Sequence, residues 1–435
     1  MPSTRPPLQN VLWLAAERVL RTAVTAGVLA LVARHLQPAG FGQLGFAISF
    51  TGLFTPLAFC GLDGLLVGEL VRRPDAAGAL LGTAAVLRLG AGALSAAACL
   101  LAAFTIPALQ AGAWLILPLS LGLLWQSAEV IDVWFQRQLQ SRRTAVVRFT
   151  AVMIGAAVKV WLVWREAPVT WFAWAVMGDV LLFEAGLLLA YARQPEPPGR
   201  WRFAPELAAE LARKSWPLAL AGLLVALQGR LDQFMVKSML PEAATGAYFA
   251  AVRLVEFPLY VIGAVSLSVF PALAASRGRG EAEFALHAQR TFDLLGAFAW
   301  AAALGLTLLG WWLVPALFGA AYAAAVPSVV VLAWGLVPWA GSFARQQCIL
   351  AGHPPWLQMA AAGIALAVQA PLALLLVPRG GGPGAAVASV VSVLVGGWLT
   401  SYVLPGLRPA AGWQARAFLI PFAPSRWRAA GTLLT

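Results

Sequence analysis

Apolar runs of about 20 residues, the length that crosses a ~30 Å hydrocarbon core, recur along the chain from end to end, separated by short polar breaks. Reading runs against breaks predicts about twelve spans, near residues 10–33, 41–66, 79–104, 113–136, 149–165, 169–191, 215–238, 246–272, 291–315, 325–348, 356–377 and 383–404, of which the fifth is the shortest. A length of 435 residues would suggest roughly three soluble domains. The recurrence of spans makes one membrane domain the better reading, an all-α integral membrane protein.

Composition agrees: 60% of residues are hydrophobic and 11% charged, with a mean hydropathy of +0.78, where soluble chains carry about 25% charged residues. Arg and Lys gather in alternate breaks. One side holds Arg5, Arg72, Arg73, Arg137, Arg142, Arg143, Arg148, Arg193, Arg200, Arg202, Arg213, Lys214, Arg277, Arg279, Arg290, Arg408, Arg416, Arg426 and Arg428; the other holds Arg34, Arg165, Lys237 and Arg379. Basic loops stay in the cytoplasm, so both termini are expected there, as an even span count requires. The net charge of +12 and pI of about 10.7 are thereby explained by topology and by contact with anionic lipids. No nucleic-acid partner is expected.

The longest basic break, 191–203 and onward to Lys214, divides the spans six and six. The expected organisation is a first six-helix lobe over 1–191, a cytoplasmic basic linker over 192–214, a second six-helix lobe over 215–404 and a cytoplasmic basic tail over 405–435. An internal echo supports two lobes: Arg34-His35-Leu36-Gln37-Pro38 with Gly42 resembles Lys237-Ser238-Met239-Leu240-Pro241 with Gly246, offset by one inserted residue. Lobes so related would share orientation about an axis along the membrane normal, with a site between them. The apolar run after the N-terminus carries Glu17, Arg18 and Arg21 and reads as a first membrane helix, not a cleaved signal. Cys60, Cys99 and Cys348 sit in apolar runs as small hydrophobes.

A charge at the bilayer centre costs about 2.5–3.5 kcal/mol on insertion scales, so charges within spans should face a cavity or a partner. They are numerous: Glu17, Arg18, Arg21, Arg88, Glu129, Asp132, Lys159, Asp179, Glu184, Arg230, Asp232, Arg253, Glu256, Asp293 and Arg345. At 1.5 Å per residue, Arg21 and Arg88 lie about 15 Å from the cytoplasmic ends of their helices, near the midplane. Arg21, Arg88 and Lys159 lack an equal supply of acids on their own spans, which points to a cationic cavity for an anionic group such as phosphate. Arg253 and Glu256, at i, i+3, read as a structural ion pair or as part of the second lobe's wall. Glu129 and Asp132, also i, i+3, are either a site for a coupling proton or cation, as Asp232 and Glu256 are too, or a pair exposed at a helix end. Arg18, Arg230, Glu184 and Asp293 are near enough to interfaces to serve as anchors. Prolines at 56, 118, 217, 258, 271, 315, 338 and 371 would kink helices that rock between states.

Enzyme signatures of the GxxxxGK[ST], HExxH and GxSxG kinds are missing, and His35, His287 and His353 have no metal-ligand spacing. No catalysis, metal or cofactor is expected.

Several segments together resemble a known family: Ala33-Arg34-His35-Leu36-Gln37-Pro38 with Phe41-Gly42, Gly61-Leu62-Asp63-Gly64, and Trp134-Phe135-Gln136 with Gln140-Ser141. In the second half they are Lys214-Ser215-Trp216-Pro217-Leu218, Asp232-Gln233, Gly246-Ala247-Tyr248 through Arg253 and Glu256, and Phe270-Pro271, with a looser match through Phe318-Gly319 and Tyr322 to Gly384-Ala385-Ala386. Their order and spacing resemble the polysaccharide (O-antigen type, Wzx-like) flippases of the multidrug/oligosaccharidyl-lipid/polysaccharide (MOP) exporter superfamily. Gln37 stands where that resemblance leads one to expect glycine.

The resemblance implies a MATE-like, two-lobe, twelve-helix carrier in a bacterial inner membrane. Such a carrier moves an undecaprenyl-pyrophosphate-linked oligosaccharide outward by alternating access, for lipopolysaccharide or other surface polysaccharide. Arg21, Arg88, Lys159 and Arg253 would then meet the head group, and Glu129, Asp132, Asp232 and Glu256 are the acids available for ion coupling. Membrane lipids are expected partners, with a polysaccharide polymerase or glycosyltransferases beside them. Rival readings are a multidrug exporter of the same superfamily, a lipid II flippase, a membrane ligase or polymerase on the same pathway, and a scaffold for glycosyltransferases.

Overall fold

A computed structural model describes residues 7–110, 112–138, 140–194, 200–350 and 356–422, and every regular element among them is helical. Arg5, His353, Arg426 and Arg428 lie outside the described residues, as do the side chains of Glu17, Arg18 and Pro271. The first half comprises α1 (Pro7–Ala58), α2 (Asp63–Arg72), α3 (Ala77–Thr105), the single turn α4 (Pro107–Gln110), α5 (Ala113–Trp125), α6 (Val130–Arg137), α7 (Ser141–Trp164) and α8 (Val169–Ala192). There follow α9 (Pro205–Gln228), α10 (Leu231–Met239), α11 (Glu242–Arg277), α12 (Glu281–Phe318), α13 (Val326–Leu350), α14 (Trp356–Leu394), the turn α15 (Thr400–Val403) and α16 (Arg408–Phe418).

Nine helical stretches among the described residues are long and apolar enough to cross a membrane, ten if α9 and α10, bent by 45°, make one span. Two of the nine, Leu20–Arg72 of 53 residues and Trp356–Val403 of 48, are more than twice the ~20 residues a crossing needs. Each is divided by left-handed backbone, at Gln37 (φ 55°, ψ 170°) and at Gly381 (φ 59°, ψ −138°). Counted by halves, and with α9 and α10 taken as one span, they bring the count among the described residues to the twelve that the apolar spacing predicts. The fifth is longer than its apolar core, because the basic residues from Arg142 to Arg148 are already helical within the 24-residue α7.

The helices gather into two compact units, Met1–Leu223 and Leu224–Thr435. In the first, α1, α3, α5, α7 and α8 pack on one another. Small residues let them close up: a Cβ on Gly92 of α3 would stand 2.6 Å from the Leu123 carbonyl oxygen of α5. In the second, α13 packs on α11, α12 and α14, with α10 against α14 and α16 against α12. The division falls within α9. The segment leading into α9 docks on α3, with Arg202 N donating to Gly78 O at 3.3 Å and Ala204 N to Thr83 Oγ1 at 3.1 Å.

Exposed tryptophans include Trp114 and Trp125 of α5, Trp161 and Trp164 of α7, Trp171 and Trp174 of α8, Trp216 of α9, Trp311 and Trp312 of α12, Trp334 of α13 and Trp356 of α14. Amphipathic rings of this kind settle at membrane–water boundaries.

Candidate functional site

The first unit holds a buried charge cluster centred on Arg88. This residue is eleven positions into α3, about 16 Å from its start at 1.5 Å per residue, and its side chain is 0% exposed. Nη2 donates to Asp63 Oδ1 in an ion pair, and the guanidinium lies 5.2 Å from the Phe59 ring centroid. Nε and Nη1 are buried without a hydrogen-bond acceptor among the described residues.

Asp63 reaches that depth because the second span breaks. Cys60 (φ 53°) and Gly61 (φ 61°) end α1, and α2 restarts with Asp63 in its first turn. Only glycine fits at 61, since a Cβ there would lie 2.6 Å from Ala219 N and 2.8 Å from Leu218 Cβ.

Around Arg88 stand more charges. Glu129 ends the 3₁₀ turn Gln126–Glu129 between α5 and α6, and Asp132 is in the first turn of α6. Arg148 Nη2 is 3.7 Å from Asp132 Oδ2, Gln136 Nε2 donates to the same oxygen at 3.3 Å, and the Arg148 guanidinium lies 4.4 Å from the Phe183 centroid. Glu184 of α8 is 1% exposed with both carboxylate oxygens lacking a hydrogen-bond partner among the described residues, in the field of Glu129, Arg88, Arg148 and Asp132. The expectation of an interfacial anchor at Glu184 is corrected: it sits on the packed face of α8, which its distance along the helix does not reveal.

Lys159 of α7 pairs with Asp179 of α8. Beside them a groove of roughly 610 Å³, open mouth included, is lined by Trp161, Trp171, Trp174, Gly155 and Asp179. Arg88 and Lys159 have no acid on their own helices, and their carboxylate partners come from neighbouring ones. Arg21 is half-buried on the first half of α1, and its carbonyl accepts from Thr25 Oγ1 at 2.8 Å.

A second group of charges, at the turn after α2, lies outside this cluster. Arg73 binds Glu210 with two hydrogen bonds of 3.1 and 2.9 Å, and Lys214 reaches Glu69 at 3.0 Å and Glu210 at 2.6 Å. These hydrogen bonds to Glu210, then the charges of Glu210 and Glu69, raise Arg73 above the ordinary arginine value. They also fasten the start of α9 to α2.

In the second unit Asp232, in the first turn of α10, is buried and accepts from Tyr248 Oη at 2.5 Å and Gln233 N at 2.8 Å. Arg253 donates to Glu256 Oε2 at 2.6 Å, and Tyr260 Oη donates to the same oxygen at 3.5 Å. Arg345 of α13 is 2% exposed and held by neutral groups alone among the described residues: Thr400 Oγ1 at 2.8 Å, Ser401 Oγ at 3.2 Å and Gly396 O at 3.0 Å. Gly396 lies in a π-helical turn, Val395–Leu399, which leaves backbone carbonyls for side chains to satisfy.

The chain matches the family model described as polysaccharide biosynthesis protein over residues 31–327. No curated protein sequence matches it. Among solved structures, an inward-facing multidrug resistance MATE family transporter of the MOP superfamily aligns at TM-score 0.71 and 14% identity, over 93% of this chain and 96% of that one. The lipid II flippase MurJ in an inward closed conformation aligns at TM-score 0.71 and 12% identity, over 94% and 91%. A MOP superfamily transporter from Pyrococcus furiosus, described as having a binding pocket of reverse polarity, aligns at TM-score 0.62 and 12% identity, over 97% and 94%. At such identities the shared property is the fold, that of the MOP transporters.

Proposed function

The chain belongs to the polysaccharide biosynthesis protein family, and on that premise we propose that it is a flippase carrying undecaprenyl-pyrophosphate-linked oligosaccharide repeat units across a bacterial inner membrane by alternating access. Pyrophosphate and sugars cannot cross hydrocarbon unaided, because stripping water from charge costs tens of kcal/mol on an order-of-magnitude basis. A carrier must offer polar groups at membrane depth. The observation that carries the reading is Arg88, a fully buried arginine with two guanidinium nitrogens lacking acceptors among the described residues, since a phosphate oxygen suits such a fork. In this proposal Arg21, Arg88, Lys159 and Arg253 receive the head group, and Glu129, Asp132, Asp232 and Glu256 serve the coupling proton or cation. The two six-helix lobes, 1–191 and 215–404, rock about the linker 192–214, and both termini lie in the cytoplasm, where a polymerase or glycosyltransferases would meet the protein.

The test is transbilayer movement of a fluorescent pyrophosphate-linked oligosaccharide lipid in liposomes holding the purified protein. Wild type should move it, and Arg88→Ala and Arg21→Ala should reduce the rate at least tenfold. Movement unchanged by both substitutions would keep the carrier and discard the site. No movement, with extrusion of cationic dyes instead, would favour a drug exporter of the same fold.

A further inference from the structure

Arg88 and Asp63 are unequal partners. The guanidinium is 0% exposed, whereas the Asp63 side chain is 61% exposed, so the carboxylate occupies the accessible side of the pair. The pair is also incomplete. Asp63 takes one hydrogen bond from Nη2, and Nε and Nη1 remain buried without an acceptor among the described residues. A guanidinium matched to its anion donates through two or more nitrogens in parallel, and phosphate groups present several oxygens for that purpose. The other acids near Arg88, Glu129 and Glu184, act on it through space and make no hydrogen bond to it among the described residues.

We propose that Asp63 is a resident counter-ion that keeps the Arg88 site neutral when empty and is displaced by the incoming anionic head group. The inference rests on Arg88 as the head-group site. An arginine alone at this depth would be expensive, and a carboxylate partner offsets part of that cost. Exchanging Asp63 for a pyrophosphate offers Nε and Nη1 oxygens to which they can donate. The released carboxylate, already 61% exposed, gives up little burial as it leaves.

The hinge for the exchange is present in the backbone. Asp63 follows the two left-handed residues Cys60 and Gly61, where α1 stops and α2 begins. Helix α2 is gripped by α9 near both ends, through the close packing of Gly61 on Leu218 and Ala219 and through the Lys214–Glu69 ion pair at 3.0 Å. A shift of α9 along α2 therefore moves Asp63 relative to Arg88, which links occupancy of the site to the position of that helix.

The experiment measures binding of a dansyl-labelled prenyl pyrophosphate to the full-length protein in nanodiscs, with inorganic pyrophosphate as competitor to separate head-group binding from partition of the tail. Asp63→Asn should bind roughly tenfold tighter than wild type, as follows when the competent, Asp63-released state is on the order of a tenth populated. Asp63→Ser, which also removes the charge, should do the same and covers any folding fault of the first variant. Arg88→Gln should lose the competable binding, and the double variant should bind no better than Arg88→Gln. In the wild type, saturating probe should speed hydrogen exchange at the amides of residues 62–65. Equal or weaker binding by both Asp63 variants, with Arg88→Gln still inactive, would overturn the counter-ion and leave the head-group site standing. Competable binding indifferent to Arg88→Gln would remove the site and the counter-ion together.

Discussion

At the scale of single residues, the cations within the helices divide by the partners that hold them. Arg88, Lys159 and Arg253 each have a carboxylate, whereas Arg345 is bound by two hydroxyls and a carbonyl among the described residues. That difference makes Arg345 a structural clamp between α13 and the π-helical turn after α14. Arg345→Ala would take a donor from the buried Ser401 hydroxyl and leave a cavity, while Thr400 Oγ1 keeps its 2.6 Å bond to Gly396 O, a loss of about 2–4 kcal/mol. Thermal unfolding in detergent should show it as a clear drop in midpoint, with transport of correctly folded protein reduced far less than by Arg88→Ala. The residues that sequence reasoning did not place beside Arg88 are Asp63 and Glu184. A signal for Asp63 existed in the flanking glycines of Gly61-Leu62-Asp63-Gly64, which mark a broken span and thus a place for an acid at depth. Glu184 was legible as a charge within a span but not as a neighbour of Arg88, because the direction in which a helix face points depends on which neighbours pack against it.

At the scale of elements, two long helices turn on backbone that side chains disfavour. Gln37 occupies φ 55°, ψ 170°, a region that is essentially glycine's own and costs a non-glycine residue about 1–3 kcal/mol. Its side chain recovers part of this through a 2.6 Å hydrogen bond from Nε2 to Arg34 O. Gln37→Gly should therefore raise stability by about 1 kcal/mol once the lost hydrogen bond is counted. Gly381, at φ 59°, ψ −138°, should respond in the opposite sense. Gly381→Ala should lower stability by at least about 1 kcal/mol, although no neighbouring atom stands within 4 Å of the new Cβ. Paired melting curves of the two variants check both signs. The positions were half legible: Gln37-Pro38 and the run Gly380-Gly381-Gly382-Pro383 announce turns, while the torsion that makes 37 and 381 equivalent belongs to the folded backbone.

At the scale of the whole molecule, orientation is read from where the basic residues gather. Basic turns such as those at Arg72-Arg73 and Arg277–Arg279 alternate with turns flanked by exposed tryptophan, as at Trp164 and Trp171. Reporter fusions check it: alkaline phosphatase should be active when fused at Gly112 or Glu166 and inactive at Arg193 or Gly280, the pattern that places the basic turns in the cytoplasm. The opposite pattern would invert the proposed direction of transport.

The sequence by itself determined the class of fold, the number of spans and the charges out of place in lipid. Those properties follow from hydropathy summed over about 20 residues and from the expense of charge in hydrocarbon, and both are local to a segment. Only the tertiary structure decided which acid meets which base. Asp63 with Arg88 and Lys159 with Asp179 are separated by 25 and 20 positions and lie on different helices. Such pairs are set by helix rotation and packing depth, to which every neighbouring helix contributes and which no single segment encodes.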